Sequence, residues 1–275
     1  MSRVEFECRL SCSDDRIVDQ ALGECQILLD TIWREPVPAP HISSRIHRCA
    51  YRIISDDNPY RNLKIMNNRE ALAAANAVRD DLKSFRDFCL AAIIANTLDY
   101  GSAEHQVTDD FMNFFRQEYE KGLGIDDTEA MEKHLDRVVY FCDNCGEIIF
   151  DSLLIHHLID RGAKVTVVVR GAPIINDATI EDAIFAGIDP HRVKILANRT
   201  GIGELGYYPP HLPEELREAL QSATLIISKG MANYESFSEF PTPCPVAYLM
   251  SVKCQPVAEA IGVPKGSRIA LLRRK

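Results

Sequence analysis

The sequence predicts an α/β protein: a helical N-terminal part followed by an open, mostly parallel β-sheet whose strands alternate with helices. Three observations carry this. Apolar residues recur at helical spacing from about residue 14 to 133, whereas from Arg137 onward short β-rich runs alternate with helical ones. The later runs are continuously apolar, as strands buried on both faces of a parallel sheet must be. The chain has 275 residues, 46% hydrophobic and 26% charged, ordinary globular composition for one large or two small domains. The change of pattern sets a boundary near residue 134, giving a helical domain over 1–133 and an α/β domain over 134–275.

In chain order, Val18, Leu22, Cys25, Leu29 and Ile32 make one helical stripe and Ile42, Ile46, Cys49 and Ile53 a second. Breaks fall at Pro36-Val37-Pro38-Ala39-Pro40 and at Asp56-Asp57-Asn58-Pro59, where proline removes a donor and biases the preceding residue away from the helix. Asn68 to Leu98 is Ala-rich and reads as helix, with two more helices around Asp109 to Lys121 and Asp127 to Asp136. Strands are expected at Val138–Phe141, Lys164–Val169, Val193–Leu196, Leu225–Ile227 and Val246–Leu249, with Arg268–Leu272 as the last.

Lys+Arg 31 against Asp+Glu 40 gives a net charge of −9, which argues against a broad nucleic-acid footprint but leaves room for a small anionic ligand. No apolar run approaches the roughly 18–20 residues of a membrane span, and the N-terminus lacks signal-peptide regions, so a cytoplasmic protein is expected. Nine cysteines, an odd number spread from Cys8 to Cys254, suit reduced thiols better than a disulfide framework.

In open α/β sheets ligands bind beyond the carboxyl ends of the strands, so the strand exits hold the candidates. The first exit reads Asp143-Asn144-Cys145-Gly146-Glu147; an acid beside an amide can offer two oxygens to a hard cation such as Mg or Mn. The second exit contributes another carboxylate, Asp177. Taken alone, each aspartate suits the cap of the helix it precedes better than a ligand role, since capping is a common job for Asp; the ligand reading rests on the combination of exits. The fourth exit, Ser228-Lys229-Gly230-Met231-Ala232-Asn233-Tyr234-Glu235, suits a turn whose backbone N–H groups meet an anion, and Lys253 follows the fifth strand. Acids, lysines and an anion-binding turn together are the ingredients of phosphoryl chemistry.

Three other motifs point elsewhere. Gly201-Ile202-Gly203-Glu204-Leu205-Gly206 fits G-x-G-x-x-G but runs into Tyr207-Tyr208-Pro209-Pro210, so the helix that would receive a pyrophosphate is missing; it reads as a flexible loop bordering the active site. Cys142 and Cys145 have redox spacing, yet the intervening carboxylate would raise a thiol pKa. Cys8, Cys12, Cys25 and Cys49 match a zinc site weakly and read as buried thiols. The tandem His156-His157 has no matching ligand pair and reads as surface and partial core.

Taken together, the ordered blocks Asn58-Pro59-Tyr60-Arg61-Asn62-Leu63-Lys64, Ala95-Asn96-Thr97-Leu98-Asp99-Tyr100-Gly101, Asp143-Asn144-Cys145-Gly146-Glu147, Asn176-Asp177, Lys229 to Glu235 and Lys253-Cys254 resemble the metal-dependent damage-control phosphatase family, domain of unknown function eighty-nine. The resemblance implies a helical domain on a Rossmann-like α/β/α domain and a divalent cation (Mn, Mg, Ni or Co) on Asp143, Asn144 and Asp177. It also implies that Gly230, Met231, Ala232, Asn233 and Glu235, Asn233 especially, hold the substrate phosphate with Lys253, while Asn96 and Asp99 belong to the motif that closes over the site. Two departures stand out: Asn58 where the first motif usually begins with Asp, and Cys8 and Cys12 spaced one residue wider than the archaeal and bacterial C-x-x-C.

The function expected is hydrolysis of small phosphomonoesters, sugar phosphates or damaged phosphometabolites, with Asp143 and Lys253 as catalytic groups and either activated water or Asp143 itself as nucleophile. One rival is a non-enzymatic sensor that binds a phosphometabolite through the same turn. The other, an adenosylmethionine-dependent methyltransferase, needs a glycine-rich first loop and an acid ending the second strand, which Asp143 to Gly146 and Val169-Arg170 do not supply.

Overall fold

A computed structural model describes residues 1–97 and 109–273. The N-terminal helices are α1 (Ser2–Arg9), α2 (Asp15–Ile32), α3 (Ala39–Ile54), α4 (Arg61–Val78), α5 (Phe85–Thr97) and α6 (Asp109–Lys121). Then follow β1 (Ile125–Asp126), α7 (Thr128–Met131), β2 (Arg137–Phe141), α8 (Glu147–Asp160), β3 (Lys164–Val169), α9 (Ile180–Phe185) and β4 (Lys194–Ala197). The chain closes with α10 (Glu214–Ser222), β5 (Leu225–Lys229), α11 (Gly230–Glu239), β6 (Val246–Ser251), α12 (Gln255–Ile261) and β7 (Arg268–Arg273).

The two stripes behave as their spacing requires. Val18, Cys25 and Ile32 of α2 and Ile46 and Cys49 of α3 bury against one another and against Val4 and Cys8 of α1. The Ala-rich stretch is two helices instead of one, and its expected end at Leu98 lies outside the described residues. Ser84 and Asp87 begin the second helix: Asp87 Oδ2 accepts from the Ser84 N–H at 2.8 Å and Ser84 Oγ accepts from the Asp87 N–H at 3.2 Å, a reciprocal cap that outweighs the alanine content. The helix expected over Asp127 to Asp136 is only α7 and a 3-10 turn, because the chain is held to β7: the Asp127 N–H donates to Ala270 O at 2.8 Å, and Asp127 Oδ2 accepts from the Leu272 N–H at 2.8 Å.

All six expected strands form, with β1 added as a short edge too brief to leave a sequence pattern. Among the described residues they make one seven-stranded sheet in the order β1-β7-β6-β5-β2-β3-β4. Pairing is parallel throughout except β6 with β7. That last pair turns back on itself because Val252 exchanges backbone bonds with Gly266 and Ser267 at 2.7 and 2.9 Å.

Alternation along β2 makes three layers. Val138 and Tyr140 face one cluster, with Leu90, Ile93 and Ile94 of α5 and Ile148, Phe150 and Leu154 of α8. Val139 and Phe141 face the other, with Leu216 and Leu220 of α10 and Tyr234 and Phe237 of α11. Each large side chain fully withdrawn from water contributes about 1.5–3 kcal/mol, so α5 is fastened to the sheet by its own apolar face. From β2 the chain winds outward through β3 and β4, and from β5 it winds the opposite way through β6. The strand order therefore reverses between β2 and β5, and the crevice at their carboxyl ends is where this sheet can receive a ligand. No described helix is long and apolar enough to cross a membrane.

Candidate active site

The crevice is walled by the residues leaving β2, β3, β5 and β6. After β2 the chain passes through Asp143 and Asn144 before Gly146, at φ +70, sets the entry to α8. After β3 it makes a long excursion that returns against the first exit: Asn144 and Asp177 form an antiparallel bridge, the Cys145 N–H donates to Asn176 O at 2.8 Å, and the Ala178 N–H donates to Asp143 O at 2.8 Å. Neither aspartate caps a helix. The N-cap of α8 is Gly146, and α9 starts on a capping box made by Thr179 and Asp182. Two buried carboxylates stand side by side without a capping job.

Their charge is only partly balanced. Arg170, fully buried at the end of β3, donates through Nε to Asp177 Oδ2 at 2.6 Å and places Nη2 3.5 Å from Asp143 Oδ1. Its Nη1 reaches Gly206 O and Asn233 Oδ1, each at 3.2 Å, while Nη2 is a buried donor without a hydrogen-bond partner. Burial, then the charges of Asp177 and Glu147, push the Asp143 carboxyl well above the usual carboxylate range, and Arg170 and Lys253 only partly offset them. Burial likewise raises Asp177.

The amides around these acids leave a set of oxygens open. Asp143 Oδ2 accepts from Asn144 Nδ2 at 2.9 Å and from Asn96 Nδ2 at 3.4 Å, and Asn96 Nδ2 also donates to Glu147 Oε2 at 2.7 Å. Among the described residues, the side-chain hydrogen bonds go to Asp143 Oδ2 and Asp177 Oδ2, while Asp143 Oδ1, 3.5 Å from Arg170 Nη2, Asn144 Oδ1 and Asp177 Oδ1 receive none. Carboxylate and amide oxygens of this kind, beside buried acids that repel one another, fit a hard divalent cation.

Behind the acids lies a second ion cluster. Lys229, wholly buried at the end of β5, bonds to Glu147 Oε1, to Asp151 Oδ1 at 2.5 Å and to Ala92 O at 3.1 Å, while Tyr140 donates to Asp151 Oδ1 at 2.8 Å. Lys229 is therefore a support for the site and not one of its free cations. Lys64, from the first matched block, crosses from α4 to Asp177 O at 2.8 Å and Asp182 Oδ2 at 2.7 Å. Asn68 Oδ1 accepts from the Gly146 N–H at 2.6 Å. The N-terminal helices thus hold both aspartate-bearing loops in place.

The other expected residues divide. Gly230 stands at φ +71, and a Cβ there would lie 1.8 Å from Asp143 Oδ2. Asn233 is buried with its amide fully engaged, donating to Cys142 O at 3.1 Å and Lys229 O at 2.7 Å and accepting from Arg170, so it ties strand ends together. Met231 Sδ accepts from the Lys253 N–H at 3.3 Å, and the Lys253 side chain is exposed. Ala232 O accepts from Ser236 Oγ at 2.8 Å. Glu235 is half-buried one turn on, its carboxyl raised by burial. Asp99 lies outside the described residues.

No described side chain caps α11, which leaves its first N–H groups available to an anion among the described residues. Cys142 and Cys145 are buried thiols, Cys145 pushed up to about 12 by burial, unlike a redox pair. The glycine-rich loop borders the site through Gly206 O on Arg170 and is pinned from outside, Arg48 donating to Gly203 O at 2.7 Å and Ser44 Oγ accepting from the Leu205 N–H at 2.8 Å.

Gly230→Ala offers a contained check on this geometry. Gly262 has a similar φ of +82 with nothing within 4 Å of its virtual Cβ. Alanine at either position costs about 1–2 kcal/mol of backbone strain, but only Gly230→Ala displaces Asp143. Phosphate release should fall by on the order of 10²-fold in G230A and stay within twofold of wild type in G262A; equal activities would contradict the placement.

Comparison with known proteins agrees with this architecture. Residues 1–269 match the family described as "Damage-control phosphatase ARMT1-like domain". A protein of Archaeoglobus fulgidus named a damage-control phosphatase is 39% identical, covering 98% of this chain and 95% of its own. A damage-control phosphatase of Pyrococcus horikoshii is 29% identical, covering 98% of each. The crystal structure of a DUF89 family protein from Pyrococcus horikoshii superposes with a TM-score of 0.89 at 27% identity, covering 98% of this chain and 94% of that one.

Proposed function

The chain belongs to the damage-control phosphatase family, and from that premise we propose that it hydrolyses small phosphomonoesters, such as sugar phosphates or damaged phosphometabolites, with a divalent cation held by Asp143, Asn144 and Asp177. The observation that carries the proposal is the pair of buried, mutually repelling aspartates with open oxygens at the crevice where the strand order reverses. Once bound, the cation would act as a Lewis acid on a phosphoryl oxygen. Mg, Mn, Co and Ni all accept such ligands.

The protein's own groups supply the rest. Asn96 and Asn144 donate to Oδ2 of Asp143 and so fix its carboxylate, with Oδ1 left 3.5 Å from Arg170 Nη2. Arg170 Nη2 is a buried donor beside that carboxylate, placed to take up charge on a non-bridging phosphoryl oxygen. Lys253 brings an exposed cation close enough to pull the Asp143 carboxyl down, and the open N–H groups of Gly230, Met231 and Ala232 begin α11 on the adjoining wall. Phosphate recognition is local, which suits a chain whose net charge of −9 cannot attract anions at long range.

Chelator-treated protein assayed for phosphate release over sugar phosphates and nucleotides, with Mg, Mn, Co and Ni in turn, tests the reading. Cation-restored release is expected. Tight binding of phosphoesters without turnover would favour the sensor instead. In the same assay Lys253→Ala should raise KM about tenfold, the loss expected for one charge-assisted contact, with kcat changed less; an unaltered KM would remove Lys253 from the site.

A further inference from the structure

We propose that His41, Glu204 and His211 form a second cation site, separate from the aspartate crevice and suited to zinc or a similar borderline divalent ion. The residues come from two distant parts of the chain: His41 from α3, and Glu204 and His211, seven residues apart, from the connection between β4 and α10 that ends in the 3-10 turn at 209–211. Yet His41 Nδ1 lies 2.6 Å from Glu204 Oε1, and His211 Nδ1 lies 3.0 Å from both carboxylate oxygens. One ligand atom from each residue can be chosen so that all lie within 4.8 Å of one another. Tetrahedral zinc with bonds of about 2.0–2.2 Å needs ligand atoms roughly 3.3 Å apart, so small side-chain adjustments bring this set onto an ion.

The donor chemistry differs from the crevice. Two imidazoles with one carboxylate favour zinc and its neighbours over Mg, whereas the oxygens of Asp143, Asn144 and Asp177 make the opposite choice. With no ion between them, an Nδ1–H from each ring can bond the carboxylate and occupy the positions an ion would take. The surroundings orient the ligands as outer partners of a metal site do. Arg199 donates through Nη1 to Glu204 Oε2 at 2.5 Å, Tyr208 stacks on the His41 ring with centroids 4.3 Å apart, and Asn198 Nδ2 donates to Glu204 O at 2.7 Å. The His41 and Glu204 side chains are 10% and 2% exposed but His211 is 29% exposed, which leaves an approach for the ion and for a water as fourth ligand.

The occupant would clasp α3 to the loop whose Gly206 carbonyl holds Arg170. The inference stands apart from the phosphatase reading, since its test counts bound zinc and needs no turnover. Chelator-treated Asp143→Ala protein, its crevice disabled, is dialysed against zinc and compared with Asp143→Ala/His211→Ala and with Asp143→Ala/His211→Gln; far-UV circular dichroism checks that each is folded. One zinc per chain is expected in Asp143→Ala, with at least tenfold weaker binding in both double variants. Wild type and the single variant His211→Ala, compared in the same way, should differ by one zinc, which covers the case in which a double variant fails to fold. Equal zinc with and without His211, including zinc carried by the N-terminal cysteines, or no zinc in folded Asp143→Ala, overturns the site.

Discussion

Asp143→Asn should abolish cation-stimulated phosphate release, by on the order of 10³-fold or more, while leaving the cation-free protein at least as stable as wild type at pH 8. The two effects share a cause. Asp143 is buried beside Asp177 and Glu147, so its carboxyl is raised well above the usual range. A group whose folded pKa exceeds its unfolded value of about 3.9 favours folding fully only when protonated, and stability is lost as pH rises through the folded value. Asparagine removes that loss and still offers an oxygen to Asn96 and Asn144. The melting temperature of the variant relative to wild type should therefore be higher at pH 8 than at pH 5, with chelator present. Addition of cation should reverse the ranking, because only wild type gains a bound ion. Turnover within tenfold of wild type would remove Asp143 from the chemistry, and a variant that melts lower at pH 8 would contradict the repulsion.

Lys229→Met is expected to be the most destabilising single change at the site, costing about 3–5 kcal/mol. The ammonium is wholly buried and serves Glu147, Asp151 and the Ala92 carbonyl, so methionine fills the volume and leaves two carboxylates unpaired. Burial already pushes Asp151 up, with Lys229 the main opposing influence, and removing the lysine sends Asp151 further in that direction. By the same linkage the variant should recover stability on acidification, as protons replace the missing charge. Urea midpoints at pH 5.5 and 8 measure this: the deficit should be larger at pH 8. Adding Asp151→Asn to Lys229→Met should restore part of the loss. A deficit independent of pH would mean that packing, and not charge, is what Lys229 supplies.

The strand exits were readable because a parallel sheet forces ligands to one edge, and the residues there, Asp143, Asn144, Asp177, Gly230 and Lys253, follow strands marked by unbroken apolar runs. Other parts of the site left a weaker trace. Arg170 follows Val169 as a single charge after an apolar strand and looks like an ordinary surface arginine until the return of residues 176–178 buries it. Glu147 and Asp151 lie on α8 at i and i+4, a spacing common on solvated faces; only Lys229 from another strand turns it into a buried trio. Asn233 suits an anion-binding turn by type, but its amide is consumed by Cys142, Lys229 and Arg170, partners up to 91 residues away in sequence. The same distance hid His41 from Glu204, 163 positions apart. Strand, helix and turn preferences are local and print themselves on neighbouring residues. Ion pairs across the crevice depend on tertiary approach and do not.

The central claim is that the open oxygens of Asp143, Asn144 and Asp177 hold the cation that serves the phosphate. Its most direct test is the anomalous difference density of a manganese-soaked crystal of the wild-type protein with phosphate present. The account predicts a manganese peak in contact with those three side chains, with phosphate between it and the Lys253 side of the crevice. Manganese absent from that position, or found only beside His41, Glu204 and His211, would contradict it.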